Sequence, residues 1–107
     1  MVPHRIRLAG HWISAPLPDG RARHARRFGA PRTLDPGERV WLVGVGVPGP
    51  AAVAVNGRPI AEVPAGGDFA ADVTSLLAPR NEVTVESAAG PPAELAVEIR
   101  PAAEARP

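Results

Sequence analysis

The chain has no cysteine, no lysine and no tyrosine, and its only aromatics are two Trp and two Phe. Without cysteine there is no disulfide and no thiolate metal centre, so the fold must be held by packing alone. No stretch approaches the roughly 20 apolar residues that a membrane helix needs. The opening residues, Met1-Val2-Pro3-His4-Arg5-Ile6-Arg7, interleave charge with apolar side chains and form no signal-peptide core. These absences point to a soluble, cytoplasmic protein. The scarcity of aromatics also limits any site that works by ring stacking.

What is present is one domain's worth of β sequence. At 107 residues there is no room for a second core. A domain of this size buries roughly 65% of its unfolded surface, enough to fold without staples. Twelve basic residues, all Arg, stand against eleven acids, a net charge of +1. With charges so nearly balanced, the pI of about 9.0 carries little information about an anionic partner. The exclusive use of Arg, beside heavy Ala, Gly and Pro usage, matches GC-rich coding and is not read as selection for phosphate recognition.

Strand signals follow one another along the chain. His4 to Leu8 alternates, with Ile6 and Leu8 on one face and Arg5 and Arg7 on the other. Pro16 to Gly20 reads as a turn, and Arg21 to Phe28 as a second strand ending at Gly29. Pro36-Gly37 is a turn signal. From Arg39 to Val47, Trp41, Val43, Val45 and Val47 share one face, and Val40, Leu42, Gly44 and Gly46 the other. This predicts a central strand covered on both sides, with Trp41 and Phe69 facing the core. The two glycines are expected to permit close approach of a neighbour or a bulge.

Ala51 to Val55 leads into Asn56-Gly57, the strongest hairpin signal here, since both residues tolerate the positive φ of a type I′ turn. Ile60 to Val63, flanked by Pro59 and Pro64, reads as a short edge strand. Asp72 is placed to cap a short helical turn over Val73 to Leu77, closed by Pro79. Glu82 to Glu86 alternates with Val83 and Val85 inward, and Leu95, Val97 and Ile99 repeat the pattern. The expectation is an all-β antiparallel sandwich of about eight strands over residues 1–100, with 101–107 as a flexible tail.

The order and spacing of these pieces resemble a known family. Arg26-Arg27-Phe28 with Pro31, Val40-Trp41-Leu42 and Val53-Ala54-Val55-Asn56-Gly57-Arg58-Pro59-Ile60 come first. Gly66-Gly67, Phe69, Asp72-Val73-Thr74 and Asn81-Glu82-Val83-Thr84-Val85 follow. Together they resemble the jelly-roll, galactose-binding-like domain that opens the family 2 glycoside hydrolases, the β-galactosidase and β-glucuronidase class. The resemblance spans roughly residues 20 to 100. It implies a non-catalytic accessory to a catalytic barrel for which this length has no room. Some members send a long loop into that barrel's active site. The corresponding connection here, Gly29 to Glu38, is too short for such an excursion.

Sugar sites stack aromatic rings on pyranose faces and ring them with hydrogen-bonding side chains. Trp12 is the aromatic left for a platform once Trp41, Phe69 and Phe28 are placed in packing, although a packed Trp12 is the favoured reading. Trp12, Arg26 and Arg27 are therefore the candidate carbohydrate contacts. Arg21, Arg23, Arg26, Arg27 and Arg32 form a segment of +5 without an acid, while the remaining chain carries −4. That segment is either an anion-binding strip or a solvated strand face. Nucleic acid is disfavoured, because no aromatic interleaving accompanies the charge.

His4, His11 and His24 lack metal spacing and read as scattered surface residues. Asp35, Asp68 and Asp72 do not stack as calcium ligands, and Ser14, Ser75 and Ser87 lack a nucleophile-elbow context. Glu82, Glu86, Glu94 and Glu98 read as a charged outer face in preference to a glycosidase dyad. The expectation is a protein that is not an enzyme, with no cofactor, no metal and no membrane contact. Its partners would be a carbohydrate or a glycoside hydrolase. The alternative is a structural or protein-interaction module that docks through a sheet edge such as Ile60 to Val63.

Overall fold

The structure, a computed structural model, describes residues 4–8, 10–31 and 34–101. Among them are nine strands: β1 (His4–Arg7), β2 (Ile13–Pro16), β3 (Ala22–Gly29), β4 (Glu38–Val45), β5 (Ala51–Val55), β6 (Arg58–Val63), β7 (Phe69–Asp72), β8 (Arg80–Ser87) and β9 (Glu94–Pro101). One 3-10 turn, Thr74–Leu76, sits between β7 and β8. The strands form two antiparallel sheets, ordered β1-β9-β4-β7 and β2-β3-β8-β5-β6, packed as the expected jelly-roll sandwich. No helix among the described residues is long and apolar enough to cross a membrane.

The core is a layer of mostly β-branched side chains contributed by both sheets. Val40, Leu42 and Val97 from one sheet meet Val53, Val55, Val83 and Val85 from the other, all essentially inaccessible to water. Each fully buried side chain of this size contributes about 1.5–3 kcal/mol. Valine suits the position because its stiff branched side chain fits a pleated surface. Leu8 and Phe28 close the layer from β1's extension and from β3.

Three sequence expectations are corrected by packing. The buried face of β4 is Val40, Leu42 and Gly44, so Trp41 and Val43 lie on the outer face and β4 is not sealed by a second layer. Val47 nevertheless reaches the core, because Gly46 (φ 59°) turns the chain after the strand has ended at Val45. The additional strand is β2. The turn expected over Pro16 to Gly20 begins one residue later, with Leu17 N–H donating to the Arg21 carbonyl at 2.8 Å, so Pro16 ends an edge strand. At the other terminus Pro101 pairs with Glu38 in β9, and residues 102–107, expected as a tail, lie outside the described residues.

The motif residues are structural fasteners. Asn56 (φ 51°) and Gly57 (φ 80°) make the left-handed β5–β6 turn. The Asn56 side chain donates to Asn81 Oδ1 (2.8 Å) and to the Leu76 carbonyl (2.9 Å), and accepts from Glu82 N–H (2.9 Å). Asn81 completes the clasp through Ala78, donating to its carbonyl and accepting from its N–H, both at 2.8 Å. Gly66 N–H and the Gly67 carbonyl bond Val47 from either side. A side chain at Gly67 would meet the Pro64 carbonyl at 2.9 Å. Gly44 lies opposite Phe69 on β7, whose ring fills the space a Cβ would need.

Asp72 ends β7 and does not act as the helix cap expected of it. Its carboxylate accepts from Arg39 (2.8 Å), from the Thr74 hydroxyl (2.7 Å) and from Thr74 N–H (3.0 Å). Val73 N–H and the Thr74 hydroxyl then satisfy the carbonyl and N–H of Val40. Burial pushes the Asp72 carboxyl up, but the hydrogen bonds from Arg39 and Thr74 outweigh it and hold the group below the ordinary carboxylate range.

Two outcomes follow from this packing. Gly44→Ala should lower stability in urea denaturation by about 1–3 kcal/mol, and by less in a Phe69→Leu background, where the ring is gone. A carboxylate held low in the folded state adds stability that is complete above its unfolded pKa of about 3.9 and is lost as pH falls through the folded value. The stability deficit of Asp72→Asn against the parent should therefore be constant above about pH 5 and close below about pH 4.

Candidate functional site

The candidate carbohydrate contacts do not converge on one surface. Trp12 is half-buried and packs against the core cluster, at the end of a turn through Gly10 (φ 73°) and His11 (φ 59°). Arg26 holds that turn, its Nε donating to the Gly10 carbonyl at 3.0 Å and a terminal nitrogen to the Arg27 carbonyl at 2.9 Å. By register Arg26 shares the inward face of β3 with His24 and Phe28, whereas Arg27 lies on the outward face opposite Glu82. Arg27 lines a small hollow with Asn56, Arg80 and Glu82. The two side chains thus leave β3 on opposite faces.

Two arginines of the basic segment, Arg21 and Arg23, pair with acids. Arg23 bonds Glu86 on β8 at 2.8 Å, and Arg21 pairs with Asp19 at 2.8 Å and Glu86 at 3.8 Å. The backbone N–H of Arg21, with its side chain, holds the Asp19 carboxyl below the ordinary range. Arg32 lies outside the described residues. His24, expected at the surface, is buried. Ser14 Oγ approaches its Nδ1 at 2.6 Å, and the Ala89 carbonyl approaches its Nε2 at 2.8 Å. A carbonyl accepts only, so Nε2 carries a proton and donates to Ala89. The imidazole thus fastens edge strand β2 to the loop after β8.

The two outward sheet faces differ in kind. On the four-stranded sheet, Glu98 is buried beneath Arg100 (2.6 and 2.9 Å) and Arg5 (3.4 Å), and the Arg100 guanidinium lies 5.1 Å from the Trp41 ring centroid. Ala96, outward by register, is inaccessible beneath this cover. That face is closed by its own side chains. The five-stranded sheet instead carries an open groove of about 680 Å³. Its floor is Ala52, Ala54 and Thr84, its wall Pro59 and Ile60, and its rim Arg23, Glu62, Glu82 and Glu86. The register between β5 and β6 skips Ile60, a bulge that bends the wall.

Sequence reasoning missed this groove because its floor is a cross-strand row. Thr84 on β8 stands opposite Ala54 on β5, which in turn stands opposite Pro59 on β6. The one available signal was the small size of Ala52 and Ala54 at outward strand positions, where larger residues are usual. Among the described residues no group of three or more His, Asp or Glu could hold a metal ion.

The architecture is that of the galactose-binding-like sandwich, and solved structures place it within larger enzymes. The chain is similar to part of an FMN-binding β-glucuronidase from Faecalibacterium prausnitzii L2-6. There the TM-score is 0.78 at 21% identity, over 92% of this chain and 23% of that one. A β-glucuronidase from Bifidobacterium dentium matches with a TM-score of 0.56 at 30% identity, over 63% of this chain and 11% of that one. A glycosyl hydrolase family 2 member from Bacteroides cellulosilyticus matches with a TM-score of 0.60 at 18% identity, over 77% and 12%. No protein-family model and no curated protein sequence matches the chain. The chain therefore has the fold of a domain in family 2 glycoside hydrolases, as the motif succession led one to expect, and spans less than a quarter of each of these three proteins.

If Trp12 is packing and not a platform, Trp12→Ala should cost about 2 kcal/mol or more in chemical denaturation, and Trp12→Phe about half of that or less. A Trp12→Ala variant as stable as the parent would show that the ring is free.

Proposed function

We propose that the chain is a non-catalytic accessory module of a glycoside hydrolase system, supporting a catalytic unit and contacting carbohydrate weakly. The observation that carries this reading is the match of nearly the whole sandwich to one small portion of much longer family 2 enzymes. The disposition of the acids supports it. Glycosidase chemistry needs two carboxylates facing each other across a scissile bond. Here Asp72, Glu86 and Glu98 are engaged by Arg39, Arg23 and Arg100, and Glu62 and Glu82 lie on an open sheet face.

A second reading, a protein-interaction module without a small ligand, is favoured by one observation. Ile13 is 76% exposed on edge strand β2, where unpaired backbone groups also face outward. The edge singled out from sequence, β6, bounds the same sheet on its other side, but Pro59 removes one of its donors.

Both readings are tested together. The purified chain should not hydrolyse aryl β-glucuronides or β-galactosides. Immobilised, it should retain a glycoside hydrolase from lysate of its source organism, identified by mass spectrometry and by activity in the eluate. Hydrolysis by the chain alone, or an eluate without glycosidase, would contradict the accessory role. Loss of capture in an Ile13→Lys variant that stays folded would locate the contact at β2.

A further inference from the structure

We infer that the groove on the five-stranded sheet is a binding site for an extended, uncharged oligosaccharide and that it rejects uronic acids. The saccharide class rests on the accessory reading. The location and the charge selectivity rest on this face alone.

The groove is a shaped concavity. Its volume of about 680 Å³ lies in the range of small-ligand clefts. It runs across the strands from Arg23 on β3, over β8 and β5, to Ile60 on β6. Three strand spacings of about 4.8 Å give it a length of about 14 Å, suited to a short oligosaccharide lying perpendicular to the strands. Ala52 and Ala54 on the interior strand β5 leave room for the ligand's apolar ring faces. The bulge at Ile60 raises one end wall. On the opposite sheet, Arg5, Glu98, Arg100 and Trp41 interlock across the outward face among the described residues.

The rim sets the chemistry. Glu86 is held by Arg23, whereas Glu62 and Glu82 make no ion pair among the described residues. Free carboxylates accept hydrogen bonds from vicinal hydroxyls, and the Arg23–Glu86 pair supplies a fixed donor beside them. Three carboxylates and one guanidinium line the groove, and with Glu86 held by Arg23 and Arg21 a uronate would bring like charge against the unpaired Glu62 and Glu82. The glucuronidase context of the similar enzymes would suggest an acidic ligand. The charge of this face argues for the opposite.

Isothermal titration calorimetry of the full chain tests the assignment with neutral tetrasaccharides (cello-, xylo- and galacto-) and an oligogalacturonide of equal length. At least one neutral tetrasaccharide should bind at millimolar or lower concentration, and the uronide should bind about tenfold more weakly or not at all. Ala54→Trp, which fills the floor from the solvent side, should abolish binding, and Ala52→Gln, a smaller obstruction, should weaken it. Glu82→Gln should reduce neutral binding about tenfold and narrow the discrimination against uronide. Thermal unfolding confirms that each variant is folded. Binding that survives both floor variants overturns the location. Preference for the uronide overturns the charge argument, and no binding of any neutral glycan overturns the site. None of these outcomes touches the capture of a glycoside hydrolase, on which the accessory reading stands or falls.

Discussion

A single layer of valine between two thin sheets must stay dry, and most of the molecule's other features are consequences of that requirement. Strand alternation gives each sheet one face for this layer and leaves the other to water. Val40 and Leu42 of β4 take the inner side, which sends Trp41 and Val43 outward although all are apolar. Where the layer would be overfilled, a residue is removed: Gly44 stands under the Phe69 ring, so one aromatic serves two strand positions. The protein reaches a closed core without disulfides because β-branched side chains lose little rotamer freedom when fixed on a pleated surface.

Backbone groups at the ends of the sandwich need partners that the sheets cannot supply, and the recognisable motifs supply them. Asn56 and Asn81 meet at 2.8 Å and tie the β5–β6 turn to the start of β8. Asp72 and Thr74 carry the β4–β7 ladder past its last paired residues, and Gly66-Gly67 closes around Val47. The residues that carry the family resemblance thus maintain the fold. The inward and turn residues among them identify the architecture and are silent about a ligand. The outward-facing members, Ala54, Pro59, Glu82 and Thr84, also line the groove, so the same segments serve both the fold and the open face.

Alternation and turn chemistry were legible because they are local. The strands, the Asn56-Gly57 hairpin and the edge position of β6 all follow from residues within a few positions of one another. Non-local matters were not legible. Both faces of β4 are apolar, so its spacing cannot say which is buried. The arginines of β3 look like a basic strip until Glu86, some sixty residues on, is placed beside Arg23 and Arg21. His24 looks superficial until Ser14 and Ala89 close around it. The groove is the extreme case, since its lining draws Arg23, Ala54 and Thr84 from three distant segments.

Two faces remain after the core is accounted for, one closed by its own Arg, Glu and Trp side chains and one open, small-floored and acidic. On this account the open face meets the ligand, while the segment around Trp12 and Arg26 is structural. The most direct measurement is a two-dimensional amide NMR titration of the full chain with a neutral tetrasaccharide. Shifts confined to Ala52, Ala54, Glu82, Thr84 and their neighbours are the predicted result. Shifts centred on Gly10 to Trp12 and Arg26, or the absence of any shift at millimolar ligand, would contradict it.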